Sequence, residues 1–303
     1  MTQEFQGGAI SLRRRFLSPQ TAISFAVLGT LATLLVTRFD IAWIETWNLI
    51  RNANPVWYVA AILVHYTTFI FRGARWRMLL RNAARNAGMP FVERNVLYYG
   101  RIILMSWFAN SVTFFRMGDA YRVYVYSSDM KSSFSRTAGT VVADRLMDLS
   151  VVGTLMGVGL LVLLLGGQIK PPLVLILVAG ALLVLIGLGL VGMVVARRLV
   201  VFLFPKKLAD VYHRFHDGAM GSLGSLHWVY GLGLFGWMSE VGRLFFVIKA
   251  LNISVATGLI IFVPMANGLL SAIPLTPGGL GVVETGVSGL LQLELTSDGS
   301  SQT

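Results

Sequence analysis

Long apolar stretches alternate with short polar segments along most of this chain. Apolar runs cover residues 21–36, 55–71, about 138–165, 173–196 and about 226–249. About 20 apolar residues in an α-helix are needed to cross a bilayer. The pattern therefore predicts an all-α fold, a polytopic integral membrane helix bundle with about five full spans.

A further apolar run, residues 96–115, is predicted to be broken or re-entrant. Arg94 and Arg101 flank its start, and Arg116, Arg122, Lys131 and Arg136 follow it. A full crossing would leave one strongly basic flank outside, against the positive-inside rule. We therefore expect this segment to enter and leave on the cytoplasmic face. Irregular backbone at membrane depth must be buried in protein or line a wet cavity, so a cavity is implied.

A second interruption follows the apolar run 255–273. It reads Pro274-Leu275-Thr276-Pro277-Gly278-Gly279-Leu280-Gly281 and precedes a short apolar helix at 282–293. Prolines and glycines inside a lipid-facing helix free backbone groups that need partners. We predict a second broken element, entered from the other side. Paired interrupted segments point to a substrate site near the membrane middle. Ala109-Asn110 and Ala266-Asn267 precede the two breaks, a similarity too short to establish a repeat.

The segments between the spans complete the predicted organisation. Residues 1–18 are a cytoplasmic N-terminal segment, 19–295 a transmembrane domain and 296–303 a disordered polar tail. Residues 40–54 fit either an interfacial segment or an external loop, and 197–225 a basic cytoplasmic loop. The arginines after the second span are interpreted as topology determinants that also bind anionic headgroups: Arg72, Arg75, Arg77, Arg81 and Arg85.

Composition agrees with a membrane protein. Hydrophobic residues make up 55% of the chain and charged residues 13%, and the mean hydropathy is +0.70. The absence of cysteine excludes disulfides, cysteine zinc sites and thiol nucleophiles. The net charge of +11 comes from basic residues beside apolar spans, so topology and anionic headgroups explain it better than nucleic acid does.

The first candidate site is a set of charges beside membrane-spanning sequence, where each charged side chain costs roughly 2.5–3.5 kcal/mol on insertion scales. Asp144 and Asp148 share a helical face, and Arg145 and Asp148 are spaced to pair. The acid left over is expected to pair with Arg116, Arg122 or Arg136. Two compatible interpretations remain: an ion network pinning residues 116–136 to the helix, and the charged wall of a headgroup pathway.

Two smaller candidates lie in the C-terminal half. Glu240 and Arg243 are spaced to pair about 21 Å into a span, either as a self-neutralising pair or as functional groups. The glycines of the second interruption, with the helix N-terminus that follows, fit an anion site for a lipid phosphate. Alternatively, Glu284 satisfies that helix end and the segment is only a tight re-entrant turn.

Enzyme chemistry finds little support in the sequence. His213 and His216 lack a third metal ligand, and no nucleophile elbow, Walker motif or dinucleotide glycine motif occurs. We therefore expect no catalytic residues, no metal and no cofactor.

Four motifs, in this order, carry a family resemblance: Arg72-x-x-Arg75-Trp76-x-x-Leu79-Leu80; Asn110 with Arg116-x-Gly118-Asp119-x-x-Arg122; Asp144-Arg145-x-x-Asp148; and Pro274-x-x-Pro277-Gly278-Gly279-Leu280-Gly281-x-x-Glu284. They resemble the lysylphosphatidylglycerol synthase transmembrane-region family, also described as flippase-like. The resemblance implies a multi-pass plasma-membrane protein whose relatives move aminoacylated phospholipid between leaflets or handle lipid-linked sugars or isoprenoids.

The chain departs from that family's pattern at two positions. Position 116 is Arg where proline is usual, and position 144 is Asp where Glu is usual. It also ends without the cytosolic domain by which bifunctional relatives make the lipid, so we expect no lipid synthesis.

The resulting hypothesis is a flippase-like transporter of a phospholipid or lipid-linked headgroup. The candidate arginines would contact phosphate, the acids would hold those arginines or meet a cationic headgroup, and the broken elements would line the path. The candidate substrate-binding residues are Asn110, Arg116, Asp119, Arg122, Asp144, Arg145, Asp148, Glu240, Arg243, Pro277, Gly278, Gly279, Gly281 and Glu284.

The alternative is a non-transporting accessory subunit of a cell-envelope lipid or glycan assembly system, in which the charges only pair with each other. Membrane lipids with an anionic or zwitterionic headgroup are the expected partners, and nucleic acid is not. Self-association and an envelope-assembly partner both stay open. The expected location is the plasma membrane, with the N-terminus in the cytoplasm.

Overall fold

The computed structural model describes residues 43–112, 117–166 and 205–271, together with the isolated helical positions Thr33, Leu177, Gly180, Val184, Leu188 and Gly192. The described residues are mainly α-helical and contain no strand, and the chain is an all-α membrane helix bundle. Apart from the isolated positions, several predictions lie outside the described residues: the spans 21–36 and 173–196, the second interruption and the polar tail.

The chain divides into two units, residues 1–51 and 52–303. In the first unit, α1 covers Trp43–Arg51, so the segment predicted as interfacial or loop is helical. It exposes Ile44, Trp47 and Ile50. An exposed apolar face on a short helix is typical of an interfacial segment.

The helices of the second unit follow in order. They are α2 (Pro55–Asn86), α3 (Val96–Val112), α4 (Gly118–Asp129), α5 (Phe134–Gly166), α6 (Lys206–Ser222), α7 (Leu226–Leu251) and α8 (Thr257–Leu270). Asn54 caps α2 by accepting a hydrogen bond from the Val56 amide at 3.0 Å, and Pro55 occupies the first helical position.

Three described helical segments are long and apolar enough to cross a membrane: Pro55–Asn86, Phe134–Gly166 and Leu208–Leu251. They correspond to three of the five predicted spans, although α2 continues well beyond the predicted end at residue 71. α2 and α7 pack antiparallel, since the Asn54 amide donates to the Ala250 carbonyl and Asn82 donates to the Ser222 carbonyl at the opposite end. This pair forms the centre of the bundle.

α3 and α4 form an antiparallel hairpin, as the broken-element prediction requires. Tyr98 near the start of α3 donates to Asp129 at the end of α4, at 2.5 Å. At the other end, the Gly118 amide donates to Asn110 Oδ1 at 2.8 Å. The chain therefore reverses its direction between α3 and α4, which agrees with a re-entrant element, and the membrane face on which it enters stays a prediction. Burial and the Asp129 carboxylate both raise the pKa of the Tyr98 hydroxyl, which keeps that donor protonated.

The prediction of a loop throughout 197–225 is wrong, because residues Lys206–Ser222 form α6. His216 and Ala219 are buried on this helix, so His216 is not a loop residue. α6 crosses α5 where Gly139 and Gly218 meet, and a Cβ on either glycine would overlap the backbone of the other helix. The basic residues of 197–225 suggested a loop, but small residues every few positions let a helix pack here.

Two apolar clusters hold the second unit together. One joins α5, α7 and α8 around Met156, Phe262 and Met265. The other joins α2, α3, α4 and α5 around Trp76 and Tyr99. Helices from both clusters contribute charged side chains to the candidate site.

Candidate functional site

A cavity of about 600 Å³ lies among six helices of the second unit. Residues from α2, α3, α4, α5, α7 and α8 form its wall. The charged and histidine side chains among the described wall residues are His65, Arg72, Asp119, Arg145, Asp148, Glu240 and Arg243. Neutral polar and aromatic members include Trp107, Asn110, Ser111, Trp237, Asn267 and Ser271. Arginines and carboxylates from distant parts of the chain therefore face one space.

Asp148 on α5 is the most heavily partnered acid of the wall. Its carboxylate accepts from Arg72 Nη1 at 3.1 and 3.2 Å, from Arg75 Nη2 at 2.8 Å and from Trp237 Nε1 at 3.0 Å. Arg145 Nη1 lies 3.6 Å from its second oxygen, the predicted pairing. A buried carboxylate is stable only when donors replace its lost water, and this one has donors from three helices.

The interpretation of Arg72 and Arg75 as topology determinants is corrected by the structure. Arg72 is 5% exposed and Arg75 0% exposed, and both bind Asp148 inside the bundle. They lie in the middle of α2, one turn apart, on the face that meets α5 and α7. Their position after an apolar run resembled a span end, but the helix continues and partners on other helices neutralise both charges.

Arg72 is also held between two tryptophans. Its guanidinium carbon lies 5.1 Å from the centroid of Trp107 and 4.8 Å from that of Trp237. Arg72 Nε donates to Thr68 Oγ1, which donates to the Gly236 carbonyl at 3.1 Å. Stacking between aromatic faces suits a guanidinium, whose charge is spread over a plane.

The two tryptophans give a matched prediction. Trp237→Phe should lower the free energy of unfolding by about 1–2 kcal/mol more than Trp107→Phe does, because only Trp237 donates to the buried Asp148. Both substitutions keep an aromatic face beside Arg72. Thermal unfolding of the detergent-solubilised protein measures the difference, and equal shifts would contradict it.

A second layer lies behind the wall. Asp144 binds Arg75 Nη2 at 2.7 Å and Arg122 Nη2 at 2.8 Å. Arg122 in turn stacks on Trp76, with 4.2 Å from its guanidinium carbon to the ring centroid. Of the three arginines predicted as partners for the remaining acid, the structure selects Arg122 for Asp144. Arg122 and Asp144 are both 3% exposed and lie outside the described wall, so their geometry is that of support for Arg75 and Asp148.

Asp119 and Arg145 join α4 to α5. Arg145 donates to Asp119 through Nε at 3.0 Å and Nη2 at 2.6 Å, a bidentate pair. Each side chain is about one-third exposed, to the cavity that both line. This pair was not predicted from the sequence; it joins residues 116–136 to the long helix beside the Arg122–Asp144 pair, and it also lies in the cavity wall.

Glu240 has a different set of partners from Asp148. Arg243 Nε donates to Glu240 Oε2 at 3.0 Å, which confirms the predicted pairing. His65 Nδ1 lies 3.2 Å from Glu240 Oε1. The Arg243 side chain is 36% exposed, and its two Nη groups are not used by Glu240. This side of the cavity therefore offers guanidinium donors to a ligand.

Asn110 and Asn267 both line the cavity, one on α3 and one on α8. Each follows an alanine and precedes a predicted break, so the short Ala-Asn similarity did mark two wall positions. Sequence reasoning missed His65, Arg72, Trp107, Trp237 and Asn267 as wall residues. The family motif containing Arg72 and that Ala-Asn repetition were the available signals, and nothing in the sequence singled out His65 or the tryptophans.

The remaining predicted site residues lie outside the described residues: Arg116, Pro277, Gly278, Gly279, Gly281 and Glu284. Of the eight candidates that are described, six line the cavity, namely Asn110, Asp119, Arg145, Asp148, Glu240 and Arg243. Among the residues that the structure describes, no group of three potential metal ligands occurs.

Comparison with known proteins gives two matches. The family model described as "Lysylphosphatidylglycerol synthase TM region" matches residues 20–297, nearly the whole chain. The chain is also 26% identical over 149 residues to a protein named "Glycosyltransferase AglD" from Haloferax volcanii. That match covers 49% of this chain and 23% of the relative, so less than a quarter of the curated relative is represented. No solved structure matches the chain.

Proposed function

Because this chain belongs to the lysylphosphatidylglycerol synthase transmembrane-region family, we propose that it binds a lipid headgroup in the cavity and moves the lipid between leaflets. The headgroup is anionic or zwitterionic. We place the protein in the plasma membrane with its N-terminus in the cytoplasm, and we assign it no catalytic step. The two similarities support a membrane protein of lipid or glycan pathways.

One observation carries the proposal: paired charges from four helices, α2, α4, α5 and α7, line a single cavity at membrane depth. Asp148 lies about 21 Å along α5 from its first residue, and Glu240 lies about 21 Å along α7 from its first residue. Ionisable groups at such depth are kept where they serve a path or a ligand. Separate dry ion pairs would serve stability alone, whereas these pairs share one open space.

The chemistry of the wall suits a lipid headgroup. Arg145 and Arg243 are about one-third exposed and can turn guanidinium donors toward a phosphate. Asp119 and Glu240 lie beside them and can accept from an amine or hydroxyl. The aliphatic wall residues Leu149, Val152 and Leu269 suit the apolar part of the molecule.

A reconstitution assay tests movement. Replacing both exposed wall arginines, as Arg145→Gln with Arg243→Gln, should reduce the rate of fluorescent phospholipid movement in proteoliposomes at least about tenfold, because two phosphate-binding donors cost several kcal/mol to remove. Arg94→Gln with Arg214→Gln is the matched control, since both arginines are exposed and outside the described cavity wall. The control should move lipid at the rate of the unaltered protein, and equal rates in both doubles would contradict the assigned site.

The similarity to a protein named as a glycosyltransferase favours one alternative, an accessory subunit for a lipid or glycan assembly system. Mass spectrometry of the purified protein identifies any co-purifying lipid, including a lipid-linked sugar. A lipid that binds at the cavity but is never moved by the reconstituted protein would support the accessory role over transport. The same experiment reveals a co-purifying envelope-assembly protein, and size-exclusion chromatography with light scattering reveals self-association.

A further inference from the structure

His65 sets the Glu240 side of the cavity apart from the Asp148 side. The partners of Asp148 are three arginines and an indole N–H, none of which changes charge near neutral pH. Glu240 instead faces Arg243 and the imidazole of His65. Histidine is the side chain whose charge ordinarily changes between pH 5 and 8. It is the only histidine among the described wall residues.

His65 lies among aromatic rings and faces the cavity. Tyr66, Phe69 and Trp107 surround it, with ring centroids 5.7, 5.9 and 6.4 Å from the imidazole centroid. The His65 side chain is 30% exposed and lines the cavity, so protons reach it from cavity water.

The other charged groups near His65 and Glu240 come from α2 itself and from the helices packed against α2 and α7. Arg72 lies on α2, Arg145 and Asp148 on α5, and Asp119 on α4, all in the same wall. Arg75, Arg122 and Asp144 lie behind it. α8 and the described wall residues of α3 carry no charged side chain. Each of these acids is paired with arginine: Asp148 with Arg72, Asp144 with Arg122, and Asp119 with Arg145.

We propose that His65 is a proton-binding site coupled to the headgroup, so that an anion bound at Arg243 and a proton bound at His65 stabilise each other. This inference rests on the proposed function of the cavity. The anion adds negative charge beside the imidazole and draws Arg243 away from Glu240. Both effects favour the imidazolium, which then serves as the partner of Glu240.

The step balances in charge and atoms. One proton leaves cavity water and binds His65 Nε2, while Nδ1 continues to face Glu240 Oε1. No covalent bond of the lipid changes. When the headgroup leaves, the proton returns to water. By reciprocity, the proton raises the affinity for the anion by the same factor by which the anion raises the affinity for the proton.

The test uses the purified full chain and short-chain phosphatidylglycerol, whose headgroup is anionic. Two quantities are measured: lipid affinity from tryptophan fluorescence, and proton uptake on lipid addition in weak buffer with a pH-sensitive dye. The affinity should rise about tenfold as the pH falls from 8 to 5.5, and up to about one proton should be taken up per lipid bound near pH 7. Phosphatidylcholine, which brings no net charge, should show neither effect.

His65→Gln keeps an N–H donor for Glu240 but does not titrate, so it should make phosphatidylglycerol affinity independent of pH and abolish proton uptake. His227→Gln is the matched control, because His227 is exposed and outside the described cavity wall. It should retain both effects. If His65→Gln does not fold, two measurements on the unaltered protein still test the proton site: the pH dependence of its phosphatidylglycerol affinity and the number of protons taken up per lipid bound.

The outcomes separate the two proposals. Binding of phosphatidylglycerol without proton uptake, or with uptake unchanged by His65→Gln, would overturn the proton site and leave the lipid site intact. Failure to bind any lipid at any pH would overturn the proposed function and the proton site with it.

Discussion

Asp148→Asn is expected to lower the free energy of unfolding by about 3–5 kcal/mol, the cost of breaking a buried ion pair by removing one partner. The asparagine loses the negative charge that holds Arg72 and Arg75 inside the bundle, where they are 5% and 0% exposed. Its amide nitrogen also turns a donor toward three arginines. Chemical denaturation in detergent, followed by far-UV circular dichroism, measures the change.

Glu93→Gln is the matched control for this substitution. Glu93 also lies beside two arginines, at 3.6 Å from Arg77 and 3.8 Å from Arg81, but its side chain is 56% exposed. Water replaces what an exposed ion pair loses, so we expect a change below about 1 kcal/mol. Equal effects of the two substitutions would show that burial does not decide the stability of the Asp148 cluster.

Gly139→Ala should be about as damaging as the loss of Asp148, with a cost of about 3 kcal/mol or more, at the upper end of overpacking. A Cβ at Gly139 would overlap the Phe215 carbonyl oxygen and lie 2.7 Å from the Ala219 amide nitrogen. Backbone atoms cannot move aside as the end of a flexible side chain does, so α5 and α6 must separate. The measurement is the thermal unfolding temperature, together with protease sensitivity of α6.

Gly157→Ala provides the comparison on the same helix. Nothing lies within 4 Å of a Cβ placed at Gly157, so the methyl group enters open space. Alanine also favours a helix over glycine by roughly 0.5–1 kcal/mol. Stability should stay unchanged or rise slightly. A loss like that of Gly139→Ala would mean that helix composition, and not the crossing, sets the cost.

The charged side chains around the cavity form two layers. The rear layer of Arg75, Arg122 and Asp144 is almost fully buried and holds the bundle together. The front layer lines the cavity, and Arg145 and Arg243 there are about one-third exposed. Stability measurements therefore report on the rear layer and on the buried wall residues such as Asp148, and lipid assays report on the exposed wall arginines.

The sequence by itself determined the fold class and the local pairings. Apolar runs of span length predicted the helices that contain residues 55–71, 138–165 and 226–249, because hydrophobic length is a property of one segment. Arg145 with Asp148 and Glu240 with Arg243 followed from helical spacing alone. The basic flanks of 96–115 predicted the hairpin, since charge placement limits how a segment lies in a membrane.

Only the tertiary structure decided which distant residues meet. From the sequence, Arg72 and Arg75 were interpreted as the end of a span. In the structure both donate to Asp148 on a different helix, 73 residues beyond Arg75. The crossing of α6 with α5 is also tertiary, because it brings Gly139 and Gly218 together from distant parts of the chain. His65 joined Glu240 only because α2 and α7 pack antiparallel. Sequence spacing predicts which side chains meet along one helix. A cavity instead depends on how neighbouring helices are aligned, and the packing of their whole surfaces sets that alignment.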